Sequence, residues 1–231
     1  REPTGVLKES AQELIDRVVP QPSREEKLVA LKQGVSLAHR YGVTSVQEAG
    51  VGAEELELFD ALRRSGELQI RMYVALNAKP GFSEGELKEL DALRYQYADS
   101  DTLRLGAVKL YADGVVESHT AAMLAPYANR ETLGNPEFSP GEINRIVKLL
   151  DGRGWQILIH AIGDAGIRMA LDAIEMAQKT NPVPVRGRRH RLEHIEAISA
   201  EDIPRFAALG VIASMQPFHA SPNQNILEIW A

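Results

Sequence analysis

Lys109, His160 and His194 have the side-chain types and positions for metal chemistry, because each stands near the end of a short apolar run: Leu103 to Leu110, Gln156 to His160, and His190 to Ile195. Such runs read as buried strands, and in a parallel sheet or barrel the carboxyl ends share the face that carries the chemistry. Strand alternation puts Leu105, Ala107 and Lys109 on one side, as it does Gln156, Leu158 and His160, and likewise His190, Leu192 and His194. If those sides look inward, the last member of each set reaches one mouth. A hydrolytic metal site needs neutral imidazoles or carboxylates on rigid elements, with a position left open for water. The chain has no cysteine, so a metal must be held by His, carboxylate or a modified side chain. An ammonium is a poor ligand. Lys109 therefore reads as an ion-pair partner of Asp113 or of substrate, as an amine carboxylated by CO2 into a metal-bridging carbamate, or as a Schiff-base lysine in a metal-free barrel.

The elements that must position these groups follow from periodicity and caps. Val6 to Val18 has near-helical spacing and stops at Pro20 and Pro22. Ser23–Glu26, Ser83–Glu86 and Ser139–Glu142 have capping-box spacing, the last with Pro140 at the first helical position. Strands are expected at Val43–Ala49, Gln69–Leu76, Leu103–Leu110, Gln156–His160, His190–Ile195 and Val211–Gln216, alternating with helices. Asp164 has the type and place of an N-cap for the helix after the His160 strand. The long connection from Asp113 through Gly134 to Ser139 is of the kind that forms a lid or binding loop. Alternation of this sort calls for a parallel sheet, and without a Gly-x-Gly-x-x-Gly or P-loop the barrel is favoured over a nucleotide-binding sheet.

A chain of 231 residues with 44% hydrophobic and 25% charged residues is ordinary for a globular protein with one sizeable core. Its formal charge of -6 argues against a nucleic-acid partner, and the basic stretch Arg186 to Arg191 reads as a solvated loop leading into a strand. No apolar run approaches a membrane span, so no membrane association is expected, and the residues given carry no targeting segment, which points to a cytoplasmic setting.

The stretches Gly106 to Gly114, Ile159 to Asp164 and Arg191 to Ile195 resemble the central motifs of the amidohydrolase superfamily, and within it amidohydrolase family 3, the YtcJ-like metal-dependent hydrolases. The likeness runs from Pro3–Glu9 through Gly42–Val46 to Met215–His219. It implies an α/β fold, a (β/α)8 TIM-like barrel that is incomplete here, with about six parallel strands corresponding to strands two to seven. Residues 1–231 would form one partial barrel domain, truncated at both ends. The resemblance further implies one or two divalent metal ions, zinc in the first instance, with Lys109 as the bridging ligand and His160 and His194 as ligands from the next two strands. The reaction would be hydrolysis of amide or related non-peptide C–N bonds of a small-molecule substrate by metal-activated water. Asp113, His119 and His219 are substrate-binding candidates, and His194 would also orient substrate. The family's His-x-His pair and catalytic aspartate fall outside these residues, so no catalytic residue is assigned. Alone, the chain is expected to bind metal weakly or not at all, to turn over little or nothing, and to self-associate through open sheet edges. The alternative is a non-catalytic barrel domain with a regulatory or scaffolding role.

Overall fold

The computed structural model describes residues 5, 7, 9–97 and 100–221. The chain divides into two compact units, residues 1–43 and 44–231. In the first, α1 (Glu13–Asp16) follows a single 3-10 turn at Glu9–Gln12, and α2 (Arg24–Arg40) starts at the expected capping box, with Ser23 Oγ and Glu26 Oε2 each accepting the other's backbone N–H. The Val6–Val18 helix is thus much shorter than its spacing suggests, and Val6 and Lys8 lie outside the described residues. Leu14, Ile15 and Val18 stay exposed, so no buried face offsets the cost of nucleating a helix.

The second unit is one six-stranded parallel sheet with strand order equal to chain order: β1 (Ser45–Val51), β2 (Arg71–Asn77), β3 (Leu103–Tyr111), β4 (Gln156–Ala161), β5 (Arg191–His194) and β6 (Ile212–Ser214). Between them run α3 (Ala53–Arg64), α4 (Glu84–Gln96), α5 (Pro140–Gly152), α6 (Asp164–Thr180) and α7 (Ile203–Leu209). The expected strands and helices are all present, the strands a residue or two shorter at the β5 and β6 ends. The sheet curls: the Arg191 guanidinium on β5 donates to Gln47 Oε1 on β1, four strands away in the order. This is a half-barrel of the incomplete (β/α)8 kind.

Apolar residues of alternate parity explain the two layers. Val108, Leu110, Ile157, Ile159 and Leu192 are fully buried, and α4, α5 and α6 pack on these strands. On the other side Ala75, Ala107 and Leu158 form a small inner cluster with Ala49 and Tyr73. The small side chains let the sheet close tightly at that level. Ser83–Glu86 is a full capping box, whereas at Ser139 only half of one forms, since Glu142 turns away to accept the N–H of Gly81 at 2.6 Å. Among the described residues no helix is long and apolar enough to cross a membrane.

A buried ionic knot ties the helix layer to the start of β5. Asp151 on α5 accepts from His190 Nε2 at 2.9 Å, Arg188 Nε at 2.8 Å and Asn181 Nδ2 at 3.0 Å, and His190 Nδ1 accepts the N–H of Ile157. Burial pushes the Asp151 carboxyl up, but these hydrogen bonds outweigh it and hold the group down at about 2. The folded value lies below the unfolded one, so the stabilisation is complete above about pH 4 and is lost as pH falls through about 2. It is on the order of 2 kcal/mol. Urea titrations should therefore show Asp151→Asn less stable than the parent by at least that amount at pH 7, with the gap narrowing below pH 4; a pH-independent gap would assign the loss to packing alone.

Candidate metal centre

Parallel register sets the rows of side chains on the inner face. Tyr111, His160, Glu193 and Ser214 form one row, and Asn77, Lys109, Leu158, Arg191 and Ile212 the row before it. Lys109 and His160 thus emerge inside the half-barrel near the strands' carboxyl ends, as their alternation implies. His194 arrives by another route. The inward residues of β5 are Arg191 and Glu193, while Leu192 and His190 face the helix layer, His190 buried against Asp151. The expectation that His190, Leu192 and His194 share the inward side is corrected here. Continued alternation would turn His194 outward. Instead the backbone goes left-handed at His194 (φ 76°) and Ile195 (φ 58°), held by Ile195 N–H to Ala161 O at 3.1 Å and Ala197 N–H to Ile162 O at 2.9 Å. A β-branched residue in that region is strained by about 1–3 kcal/mol, a cost associated with functional corners.

The turn brings the His194 ring to 4.7 Å from that of His160, edge to face. His219 stacks on His194 at 5.5 Å with 15° between planes, and Tyr111 lies 5.5 Å from His160. Lys109 Nζ sits 5.0 Å from the Tyr111 ring centroid and is near enough to act electrostatically on His194. Four of the sequence-nominated residues, Lys109, His160, His194 and His219, therefore share one neighbourhood. Burial is the main cause pushing the Lys109 amine down, to about 8, partly opposed by Glu193. Burial likewise lowers His194, against the hydrogen bond to Gln216. Both shifts favour the uncharged, lone-pair-bearing forms.

The tautomers are fixed by acceptors. His160 Nε2 is 2.9 Å from Gly114 O, and a carbonyl oxygen only accepts, so Nε2 carries the proton and Nδ1 the lone pair. His194 Nδ1 is 2.8 Å from Gln216 Oε1, which places that ring's lone pair on Nε2. Metal-binding histidines commonly show this arrangement, one nitrogen donating to an outer oxygen and the other turned to the ion. The donor chemistry fits a divalent cation held by two imidazoles and a lysine-derived group. Among the described residues no group of three or more His, Cys, Asp or Glu side chains is placed to hold a metal ion.

Asp113 adjoins this group, with Oδ1 3.7 Å from His160 Nε2, whereas His119 is placed elsewhere. Asp113 is buried and forms no ion pair with Lys109: Oδ2 accepts from Ala122 N at 2.9 Å and Gly163 N at 2.8 Å, and Oδ1 from Ile162 N at 3.0 Å. Burial pushes its carboxyl up to about 6, against these N–H groups, which favour the ionised form. His119 belongs to the long loop, with Nε2 2.9 Å from Asn129 Oδ1 and its ring 4.9 Å from Tyr127. That loop is packed rather than lid-like. Val116, Ala121 and Tyr127 form a buried cluster with Ile162, and a Cβ on Gly163 would lie 2.0 Å from Ala122 O. Asp164 is the first residue of α6 rather than its N-cap, which is Gly163; its Oδ1 accepts from the loop's Leu124 N–H at 2.7 Å. Glu193, Tyr111 and Gln216 were missed by sequence reasoning, although alternation counted from Lys109 reaches Tyr111, and counted from Arg191 reaches Glu193. A cavity of about 1030 Å³ opens at the opposite, amino-terminal ends of the strands beside Tyr73, Arg104, Gly106 and Gln156, and none of Lys109, His160 or His194 lines it.

Comparison with known proteins agrees with the fold. The chain is 29% identical to Protein LONG AFTER FAR-RED 3 of Arabidopsis thaliana, over 94% of the chain and 38% of that protein. It is 26% identical to YtcJ of Bacillus subtilis (strain 168), which bears an amidohydrolase name, over 94% and 40%. It is 25% identical to the N-substituted formamide deformylase of Arthrobacter pascens, over 99% and 42%. The chain thus spans about two fifths of the length of the curated relatives it matches. An uncharacterized metal-dependent hydrolase from Pyrococcus horikoshii OT3 superposes with a TM-score of 0.79 at 26% identity, covering 99% of this chain and 45% of that one. Since the sequence profile of that family matches residues 1–229, nearly the whole length on which the half-barrel and its histidine corner are built, the chain belongs to the amidohydrolase family.

Proposed function

We propose that this chain forms the central part of a metal-dependent hydrolase that cleaves amide or related non-peptide C–N bonds of small molecules, N-substituted formamides among them. The observation that carries the reading is the convergence of two imidazoles with acceptor-fixed tautomers beside a buried lysine at one rim of the sheet. The formamide class is supported by the similarity to the Arthrobacter pascens formamide deformylase.

His160 and His194 would hold a divalent cation, zinc in the first instance, and Lys109 would join them as its carbamate. When bound, the ion polarises the scissile carbonyl and lowers the pKa of water. Formation of the carbamate needs the neutral amine: its lone pair bonds to the carbon of CO2, one N–H proton leaves to solvent, and a cation becomes an anion. An amine held down at about 8 has a neutral fraction on the order of a tenth at pH 7, against well under a thousandth for an exposed lysine. Tyr111 and Glu193 stand in the next row of the inner face, the Tyr111 ring 5.0 Å from Lys109 Nζ and the Glu193 carboxylate acting electrostatically on the amine. Hydrolysis adds water across the C–N bond, giving an acid and an amine.

Zinc-loaded full-length polypeptide supplied with bicarbonate should release amine from a panel of N-substituted formamides and amides, and Lys109→Ala should reduce the rate by at least about 100-fold. Turnover that survives chelation, or borohydride trapping of a carbonyl substrate on Lys109, would replace this reading with Schiff-base chemistry.

A further inference from the structure

The segment that follows β6 does more than end the sheet. Gln216 and His219 both contact the His194 ring, the first through Oε1 at 2.8 Å from Nδ1 and the second by parallel stacking at 5.5 Å. His219 Nδ1 in turn lies 2.6 Å from Glu196 Oε1, a close contact without hydrogen-bond geometry, and Glu196 stands two residues after His194. The contacts close a ring from His194 through Gln216 and His219 to Glu196 and back along the chain. Within it, Gln216 is oriented by a long contact from its Nε2 to Ser214 O at 3.4 Å.

This arrangement answers a problem set by the left-handed corner. The unusual backbone at His194 and Ile195 brings the imidazole to the rim but leaves open which ring nitrogen carries the proton. An imidazole with its proton on Nε2 would present an N–H to the space it shares with His160, and an N–H cannot donate electrons to a cation. An oxygen acceptor at Nδ1 removes the ambiguity. The only side-chain oxygen hydrogen-bonded to that nitrogen among the described residues belongs to Gln216.

Resting on the reading of His194 as a metal ligand, we infer that Gln216 is a positioning residue, which fixes His194 in the Nδ1–H tautomer so that Nε2 is the nitrogen offered to the cation. It acts through His194 and touches neither ion nor substrate. Outer acceptors of this type are worth about 10–100-fold in metal affinity.

Two measurements test this separately from the function. Long-range 1H–15N spectra of the 231-residue chain in the absence of metal, at a pH above the His194 titration, should show His194 protonated at Nδ1 in the parent and in Gln216→Glu, which keeps an acceptor oxygen. In Gln216→Leu the Nε2–H form should appear in substantial proportion. An unchanged Nδ1–H tautomer in Gln216→Leu would overturn the inference, whatever the metal does. Zinc competition with a chromophoric chelator, on the full-length polypeptide, should then show about 10–100-fold weaker binding for Gln216→Leu and near-parental binding for Gln216→Glu. If the spectra behave as expected but the parent holds no zinc, the metal reading fails while the Gln216–His194 contact stands. If zinc binds and Gln216→Leu leaves its affinity unchanged, the positioning role is lost while the metal reading stands.

Discussion

Replacing His160 with alanine in the full-length polypeptide is expected to weaken zinc binding by at least about 100-fold and to remove turnover with it, because a direct ligand should cost more than the 10–100-fold lost with an outer partner. The imidazole is delivered by a rigid element: β4 lies inside the sheet between β3 and β5, and Leu158, one step back on the same face, is packed in the inner cluster. Its Nε2 proton is committed to Gly114 O, so no rotation about the ring is free to substitute another donor. Water filling the vacated space could donate to the Gly114 carbonyl in the ring's place but would be a weaker ligand. His39→Ala, an exposed histidine on α2, controls for loss of a nonspecific imidazole and should leave affinity within about twofold. Equal zinc affinity for His160→Ala and the parent would take His160 out of the site.

The alternation of elements was legible because each signal is local. Capping serines at Ser23 and Ser83 and apolar runs such as Ile157–Ile159 report their own segment's state, and parallel strand order follows from repeating the same unit. Lys109 and His160 were legible for the same reason, since inward direction in a regular strand follows from counting by two. The path to His194 was not. Its left-handed backbone depends on hydrogen bonds from Ile195 and Ala197 to β4 and the residue after it, partners more than thirty positions away in the chain. No residue type at that corner announces it, for neither a histidine nor an isoleucine is the usual choice for positive φ. Glu193 escaped because the histidines on either side suggested the opposite parity. The surroundings of Asp113 were not legible either: a carboxylate after a strand suggests an ion pair with Lys109, whereas here the backbone N–H groups of Ala122, Ile162 and Gly163 converge on it. The Glu142 side chain, drawn away to Gly81, shows how a tertiary contact can override a cap that the local sequence spells out.

Asp113→Ala should be the most destabilising single change in the long loop, lowering stability by about 3–5 kcal/mol in urea titrations. The substitution leaves the N–H groups of Ala122, Ile162 and Gly163 facing a space with no acceptor, and each unsatisfied buried donor costs about 1–3 kcal/mol before relaxation. Asp113→Asn should fall between the two, since its single carbonyl oxygen can still accept while its NH2 opposes at least one of the same N–H groups. Little slack exists for the loop to adjust, as Gly163 meets the Ala122 carbonyl closely and Gly134, at φ +74°, sits where a Cβ would lie within 1.9 Å of Ala121 O. Limited proteolysis should accordingly cut the variant first within residues 113–136, which the parent keeps packed through Val116, Ala121 and Tyr127. The effect should extend to the rim, because Gly114, whose carbonyl fixes the His160 tautomer, is the next residue after Asp113. Zinc affinity in Asp113→Ala is therefore expected to fall together with protection of the loop, although the carboxylate itself is spent on backbone groups. Parental stability and an unchanged cleavage pattern in that variant would show that the loop is held by its apolar cluster and that the buried carboxylate is dispensable to it.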